Sequence, residues 1–212
     1  MIGAIRSLRP GVGGFVRRPR SRGAAALSFH VATLYLVSTP IGNLDDLSPR
    51  AAEVLRTVPR ILAEDTRRSR VLADRVGSEA VLVSVHEHNE RGRAEQIVGW
   101  LDGGEDLALV TDAGTPLVSD PGERVVDAVV AAGHAVTPIP GPSAPLAALV
   151  ASGLPAERFT FLGFPARKGR DRDADLARVA ESRETVILFE SPQRLVRLLE
   201  DLEARCEAGR RV

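Results

Sequence analysis

Five short apolar runs punctuate residues 34–139, and a helical pattern separates each from the next. The runs are Leu34–Ser38, Ile61–Ala63, Val81–Val85, Leu107–Thr111 and Ala135–Ile139. Ser48-Pro49 opens the first helix, with Ser as N-cap and Pro in the first turn; Ala51, Val54, Leu55 and Val58 form its apolar face. Further helices are expected around Ser69–Arg75, over Glu90–Leu101, from Pro121, and over Ser143–Ala151. Asp120 is the expected N-cap of the helix from Pro121, with Glu123 completing a capping box and Gly133 as the stop. Strands separated by helices of this length call for right-handed crossovers. The expected fold class is therefore α/β: a mostly parallel five-stranded sheet over 31–153 with helices on both faces.

Gly153-Leu154-Pro155-Ala156-Glu157 has linker composition. Beyond it, Phe159–Phe164 and Thr185–Phe189 read as strands, Arg167–Asp173 as a polar loop, and Ala174–Glu181 and Pro192–Arg205 as helices. Two strands and two helices are thin for an independent domain. The segment 157–212 is thus expected to be a partial C-terminal α/β domain, with the chain stopping short of a further strand.

Charge is balanced overall at 28 basic and 28 acidic residues, but not locally. Residues 1–30 hold six arginines and no acid, and the first acid is Asp45. This stretch reads as a disordered basic extension, with a nucleic-acid arm or a targeting peptide as sharper alternatives. The remainder is net acidic, which argues against broad nucleic-acid coating but leaves room for a local basic site. A lone cysteine, Cys206, rules out an internal disulfide and fits a reducing cytoplasm. No apolar run approaches the ~20 residues of a membrane span.

The chemistry concentrates at strand ends. The run Leu107–Thr111 ends at Asp112, then a turn of small residues, Ala113-Gly114-Thr115-Pro116, leads through Ser119 to the next helix. One strand later, Pro140-Gly141-Pro142-Ser143-Ala144 places a glycine between prolines just before a helix N-terminus. Acids and exposed backbone at strand carboxyl ends are how open α/β sheets build small-molecule sites. Neither loop is a phosphate-binding Gly-rich motif, so a ligand gripped by backbone amides and carbonyls is expected. Ser38-Thr39-Pro40-Ile41-Gly42-Asn43-Leu44 would open on the same edge, although alone it is an ordinary βα turn.

Ala63-Glu64-Asp65-Thr66-Arg67-Arg68 ends the second strand. Its carboxylates and guanidiniums could form a helix start with its own ion pairs. They could equally hold a hydroxyl nucleophile and a phosphate backbone. His86-Glu87-His88-Asn89-Glu90 contains a His-x-His, but further ligands at metal-binding spacing are lacking; substrate contact or a polar strand end is the better reading. Arg167-Lys168-Gly169-Arg170 is a small basic loop diluted by Asp171, Asp173 and Asp175.

Taken together, these motifs resemble one family. Leu34–Leu44, Ala63–Arg67, His86–Glu90, Thr111–Pro116, Pro140–Ala144 and Phe189-Glu190-Ser191-Pro192 occur in the order and spacing of the tetrapyrrole methylase superfamily, in its branch that methylates small-subunit ribosomal RNA. The resemblance spans Thr33 to Val212. It implies a two-domain methyltransferase, working as a cytoplasmic homodimer, with S-adenosylmethionine in the cleft between domains. It implies methyl transfer to the ribose 2′-hydroxyl of a cytidine in 16S rRNA. Pro40, Ile41, Asp112, Ala113, Gly114, Thr115, Pro116, Ser119, Pro140, Gly141, Pro142, Ser143 and Ala144 would hold the cofactor. Asp65 or Glu64 would serve as general base, Arg67, Arg68, His86, Arg167 and Lys168 would meet RNA, and no metal is called for. Two alternatives stand beside this. One is a tetrapyrrole C-methyltransferase, disfavoured because Ser38–Asn43 replaces the Gly-x-Gly-Pro-Gly-Asp loop of those enzymes. The other is a non-catalytic cofactor- or RNA-binding module. Family members also continue past residue 212, and the basic residues 1–30 lie outside the pattern.

Overall fold

A computed structural model describes residues 31–212 apart from Glu87; the basic stretch 1–30 lies outside the described residues. Seven strands and seven α-helices follow one another in the described chain. The first unit runs β1 (Thr33–Val37), α1 (Pro49–Thr57), β2 (Arg60–Ala63), α2 (Thr66–Val76), β3 (Val81–Ser84), α3 (Glu90–Asp102), β4 (Leu107–Val110), α4 (Glu123–Ala131), β5 (Ala135–Ile139) and α5 (Ala144–Ala151). The second runs β6 (Phe159–Phe161), α6 (Gly169–Glu181), β7 (Thr185–Ile187) and α7 (Pro192–Glu203).

The five-stranded sheet has the order β3-β2-β4-β1-β5, every pairing parallel. Alternate side chains go to opposite faces, as the pleat requires. Ile61, Ala63, Ala108, Val110 and Val37 pack with Ala51, Leu55 and Val58 of α1 and Leu72 and Ala73 of α2. Leu62, Leu107, Leu109 and Leu34 pack with Ile97 and Leu101 of α3 and Val125 and Val129 of α4. Both faces are thus covered, as an all-parallel sheet needs. Each fully buried Leu, Ile or Val contributes on the order of 1.5–3 kcal/mol. The connection from β1 runs past β4 to β2, and the connection from β4 runs past β1 to β5. The two central strands therefore send their helices to opposite faces. Their carboxyl ends flank the crevice where such sheets bind ligands.

β2 and β5 end where the sequence pattern places them, at Ala63 and Ile139, whereas β1, β3 and β4 stop one residue early and β6 and β7 three and two residues early. Two helices also differ from expectation. The helix expected from Pro121 begins at Glu123, and Asp120 is not its cap. Gly122 occupies the cap position at φ 127°, and the acceptor for the exposed amides is a remote carboxylate, Glu90. The segment read as the loop Arg167–Asp173 is helical from Gly169. Its charges conceal a buried stripe of Arg172, Leu176 and Val179. Arg172 is buried because it pairs with Asp201 of α7 at 2.6 Å and donates to the Ala166 carbonyl at 3.2 Å.

In the second unit β6 and β7 pair in parallel, and Phe189 meets Phe161 edge-on and Phe164 at a tilt, at centroid distances of 4.9 and 5.3 Å. The turn after β6 reaches the loop after β4. A Cβ on Gly163 would lie 2.8 Å from the Ser119 hydroxyl, so only glycine permits that approach.

Candidate active site

Three loops meet at the carboxyl ends of β1, β4 and β5, and backbone bonds sew them together. Thr39 N–H donates to the Gly114 carbonyl at 2.8 Å, and Gly114 N–H donates back to the Thr39 carbonyl at 3.0 Å. The Thr39 hydroxyl donates to the Thr111 carbonyl at 3.2 Å. Ser38 N–H donates to the Ile139 carbonyl at 3.2 Å, and the Thr115 hydroxyl reaches the Pro142 carbonyl at 3.1 Å. The β5 loop presses so close to the β1 loop that a Cβ on Gly141 would lie 2.9 Å from Ser38 Cβ. Around this seam Pro40, Gly114 and Pro116 are buried, while Ile41, Ala113, Ser119, Pro140 and Gly141 are exposed. Asp112, Thr115, Pro142, Ser143 and Ala144 are half-buried. Ser143 sits at the N-cap position of α5, yet its side chain makes no cap bond, so first-turn amides of α5 remain available to a ligand.

The loop 111–122 holds two non-glycine residues in the left-handed region, Leu117 at φ 72° and Ser119 at φ 66°. Such conformations cost on the order of 1–3 kcal/mol each and persist only where surrounding contacts over-determine them. Leu117 packs against the core beneath α4, and Ser119 lies against Gly163.

Next along the edge, after β2, Glu64 and Asp65 part ways. Asp65 caps α2, accepting from Arg67 N–H at 2.9 Å, and it takes a two-point grip from the Arg67 guanidinium at 3.1 and 2.9 Å. That grip pulls its pKa down to about 2. A carboxylate so stabilised is a weak base. Glu64 moves the other way. Partial burial raises its pKa, and the charges of Asp112 and Asp120 raise it further, against a lowering by Arg68. Asp120 is also held above the ordinary aspartate range, by burial first and then by Asp112. The buried Thr111 hydroxyl favours the charged form of Asp120 but forms no hydrogen bond of good geometry. Asp112 ties the β4 loop to the β2 loop: it accepts from Asp65 N–H at 3.3 Å and pairs with Arg68 at 3.2 Å.

Arg67 and Arg68 expose 90% and 69% of their side chains on this edge, so both heads stay within reach of solvent anions. His86 follows β3, the strand beside β2. Its Nδ1 is buried without a partner, and its ring stands edge-on to His88 at 5.9 Å. Arg167 and Lys168 are exposed at the start of α6 in the second unit. Among the described residues, no group of three or more His, Cys, Asp and Glu is arranged to hold a metal ion.

Two residues of the site escaped the reading of the sequence. Asp120 looks like a helix cap and instead raises Glu64. Glu90 ends the His86–Glu90 motif, and its partners, Gly122 and Arg124, are remote along the chain; no local signal announces them.

The loops fit a ligand that combines an amino-acid end with a nucleoside, as S-adenosylmethionine does. The close packing of Gly141 on Ser38 holds the β5 loop against the β1 loop, the α5 amides can meet a carboxylate, and half-buried Asp112 can meet a cationic or hydroxyl group.

Residues 33–212 match the family of tetrapyrrole (corrin/porphyrin) methylases. The chain is 54% identical over 170 residues to a protein of Xylella fastidiosa named ribosomal RNA small subunit methyltransferase I, covering 80% of this chain and 62% of that protein. Proteins of the same name from Pseudomonas aeruginosa and Escherichia coli O157:H7 are 50% and 49% identical. Those matches cover 80% and 81% of this chain and 60% of each relative. The chain thus spans about three fifths of the length of these relatives. A crystal structure of uroporphyrin-III-C-methyltransferase from Thermus thermophilus superposes with a TM-score of 0.58 at 23% identity, over 82% of this chain and 74% of that one. At that identity the likeness establishes the fold.

Proposed function

The chain belongs to the tetrapyrrole (corrin/porphyrin) methylase family, and from that premise we propose that it methylates small-subunit ribosomal RNA at a ribose 2′-hydroxyl of a cytidine. The observation that carries this reading is the placement of Glu64. A carboxylate with raised basicity sits between the stitched loops of the crevice and two exposed guanidiniums, Arg67 and Arg68. That is the arrangement a hydroxyl acceptor on a phosphate backbone would need. The names of the relatives, each about half identical, agree with an acceptor of this kind.

S-adenosylmethionine, when bound, supplies a methyl group on a sulfonium that departs as a neutral thioether. Pro40, Ile41, Asp112–Pro116, Ser119 and Pro140–Ala144 are the residues that would hold it. Because the donor is already activated, the chain has mainly to align and to remove a proton. Glu64 takes the proton of the 2′-hydroxyl as the oxygen becomes the nucleophile, a contribution of about 10²–10⁴-fold. Asp65, with its pKa near 2, keeps Arg67 and the start of α2 in place. Arg67, Arg68, Arg167 and Lys168 meet phosphates, and His86 meets the acceptor strand. A homodimer acting on the small subunit in the cytoplasm completes the reading. Among the described residues no helix is long and apolar enough to cross a membrane.

The test is transfer of labelled methyl from S-adenosylmethionine to small subunits lacking the mark, with Glu64→Gln and Asp65→Asn compared at saturating donor. Glu64→Gln should lose about 10²–10⁴-fold in kcat with donor affinity kept. Asp65→Asn, still able to cap, should keep most of its turnover. Normal turnover by Glu64→Gln would remove Glu64 as the base, and absence of transfer by the wild type would remove the acceptor assignment.

A further inference from the structure

Glu90 is buried to 6% exposure at the first position of α3, yet its carboxylate serves a different helix. Oε1 accepts from the amides of Gly122 at 3.0 Å, Arg124 at 2.9 Å and Val125 at 3.4 Å. These are the orphan donors at the start of α4, where a carboxylate also meets the positive end of the helix dipole. The same amides close the loop that begins at Asp112. One end of that loop is clamped by β4 and the Thr39–Gly114 bridge; Glu90 clamps the other.

The backbone of Glu90 is itself held beside His86. Glu90 N–H and Asn89 N–H donate to the His86 carbonyl at 3.0 and 2.9 Å. Asn89 Oδ1 accepts from His86 N–H at 2.9 Å, and Asn89 Nδ2 donates to the Ser84 carbonyl at 3.1 Å. His86, Asn89 and Glu90 are therefore tied to one another by hydrogen bonds, and Glu90 is bonded to the end of the loop bearing Asp112. Between the two clamps lie the left-handed Leu117 and Ser119, whose conformations need support from surrounding contacts.

We propose that Glu90 is a positioning residue that couples His86 and Asn89 to the loop 112–119, so that fixing either segment fixes the other. Resting on the reading of these segments as the acceptor-facing turn and the methyl-donor loop, this makes acceptor and donor binding mutually reinforcing. Coupling of this kind is reciprocal by thermodynamic necessity.

The experiment is a double-mutant cycle of Asn89→Ala and Glu90→Ala in the full chain, read in two ways. The first is hydrogen exchange of the ligand-free protein. Asn89→Ala should speed exchange over 111–125 by about 5–10-fold, the equivalent of one lost hydrogen bond. In the Glu90→Ala background, which has no acceptor left for the α4 amides, adding Asn89→Ala should change that segment less than about twofold. The second is the dissociation constant of S-adenosylmethionine, which should show the same non-additivity. Should Asn89→Ala leave 111–125 untouched, or act equally in both backgrounds, the coupling is refuted; a purely structural Glu90 would give additive effects. If the wild type fails to bind S-adenosylmethionine, the functional reading falls, while the exchange cycle still decides the coupling.

Discussion

Gly141→Ala isolates the contact on which the crevice depends. The new Cβ would stand 2.9 Å from Ser38 Cβ, and the Ser38 carbonyl oxygen would be 3.4 Å away. Two saturated carbons sit comfortably at about 3.5–4.0 Å, so the β5 loop must retreat by several tenths of an ångström or more. Gly141 does not adopt a left-handed φ, so the cost is steric alone. Overpacking of this size costs about 1–3 kcal/mol. If it falls on the loop seam, donor affinity drops about 5- to 150-fold. If it falls on the fold, the melting temperature drops by about 2–12 °C. Isothermal titration with S-adenosylmethionine and a thermal melt of the same sample separate the two. The decisive partner is Ser38→Gly, which removes the carbon being struck. It gives up a Ser38–Thr115 hydroxyl contact of 3.4 Å, too long to matter much. The double variant should regain most of the lost affinity. The steric argument is refuted if Gly141→Ala binds the donor like wild type, or if Ser38→Gly gives no recovery.

Stability should fall, not rise, as the pH climbs through the mildly acidic range. Glu64 and Asp120 both have folded pKa values above their unfolded ones, so the folded state binds more protons in that window and loses ground as they leave. Urea midpoints followed from about pH 4 to 7 should show this slope, and Glu64→Gln with Asp120→Asn should flatten it. Asp65 works in the opposite sense: its contribution is complete above the ordinary aspartate value and disappears as the pH falls through about 2. Gly122→Ala should cost about 2–4 kcal/mol, because its Cβ would lie 2.8 Å from Leu117 Cδ2 and 3.1 Å from Leu109 Cδ2 at a φ of 127°. A melting temperature within a degree or so of wild type would contradict that.

Local pattern carried much of this architecture. The apolar run Leu107–Val110 followed by Asp112 and small residues marked both a strand and a ligand edge, since strand period and turn chemistry are properties of neighbouring residues. Ser48 and Pro49 announced α1 for the same reason, and Ser48 does accept from Ala51 N–H at 3.1 Å. What stayed hidden depends on tertiary neighbours. Glu64 and Asp65 are adjacent and chemically alike, and only the approach of Asp112 and Asp120 to one and of Arg67 to the other separates their basicity. Glu90 reads as an ordinary first-turn acid, because nothing near it in sequence shows that its amides belong to α4. The start of α6 was masked by charge, since Arg172 is polar at a core position and becomes acceptable there only through Asp201.

The strand order also sets a timetable for synthesis. β1 is the first strand made, yet its ladder partners are β4 and β5, and β2 waits for β3 and β4. A nascent chain that has emerged only as far as α3 therefore holds a lone β2–β3 pair and an apolar β1 with no ladder partner. The sheet, and the ligand crevice with it, can be assembled only after Ile139 leaves the ribosome. At about 5–20 residues per second, the interval from β1 to β5 lasts about 5–20 s, with the apolar β1 lacking its neighbours for most of it. Non-local parallel pairing of this kind is slow even once the chain is complete. Placing β1 and β4, two of the three loop-bearing strands, inside the sheet thus makes the ligand crevice one of the last features of the sheet to form.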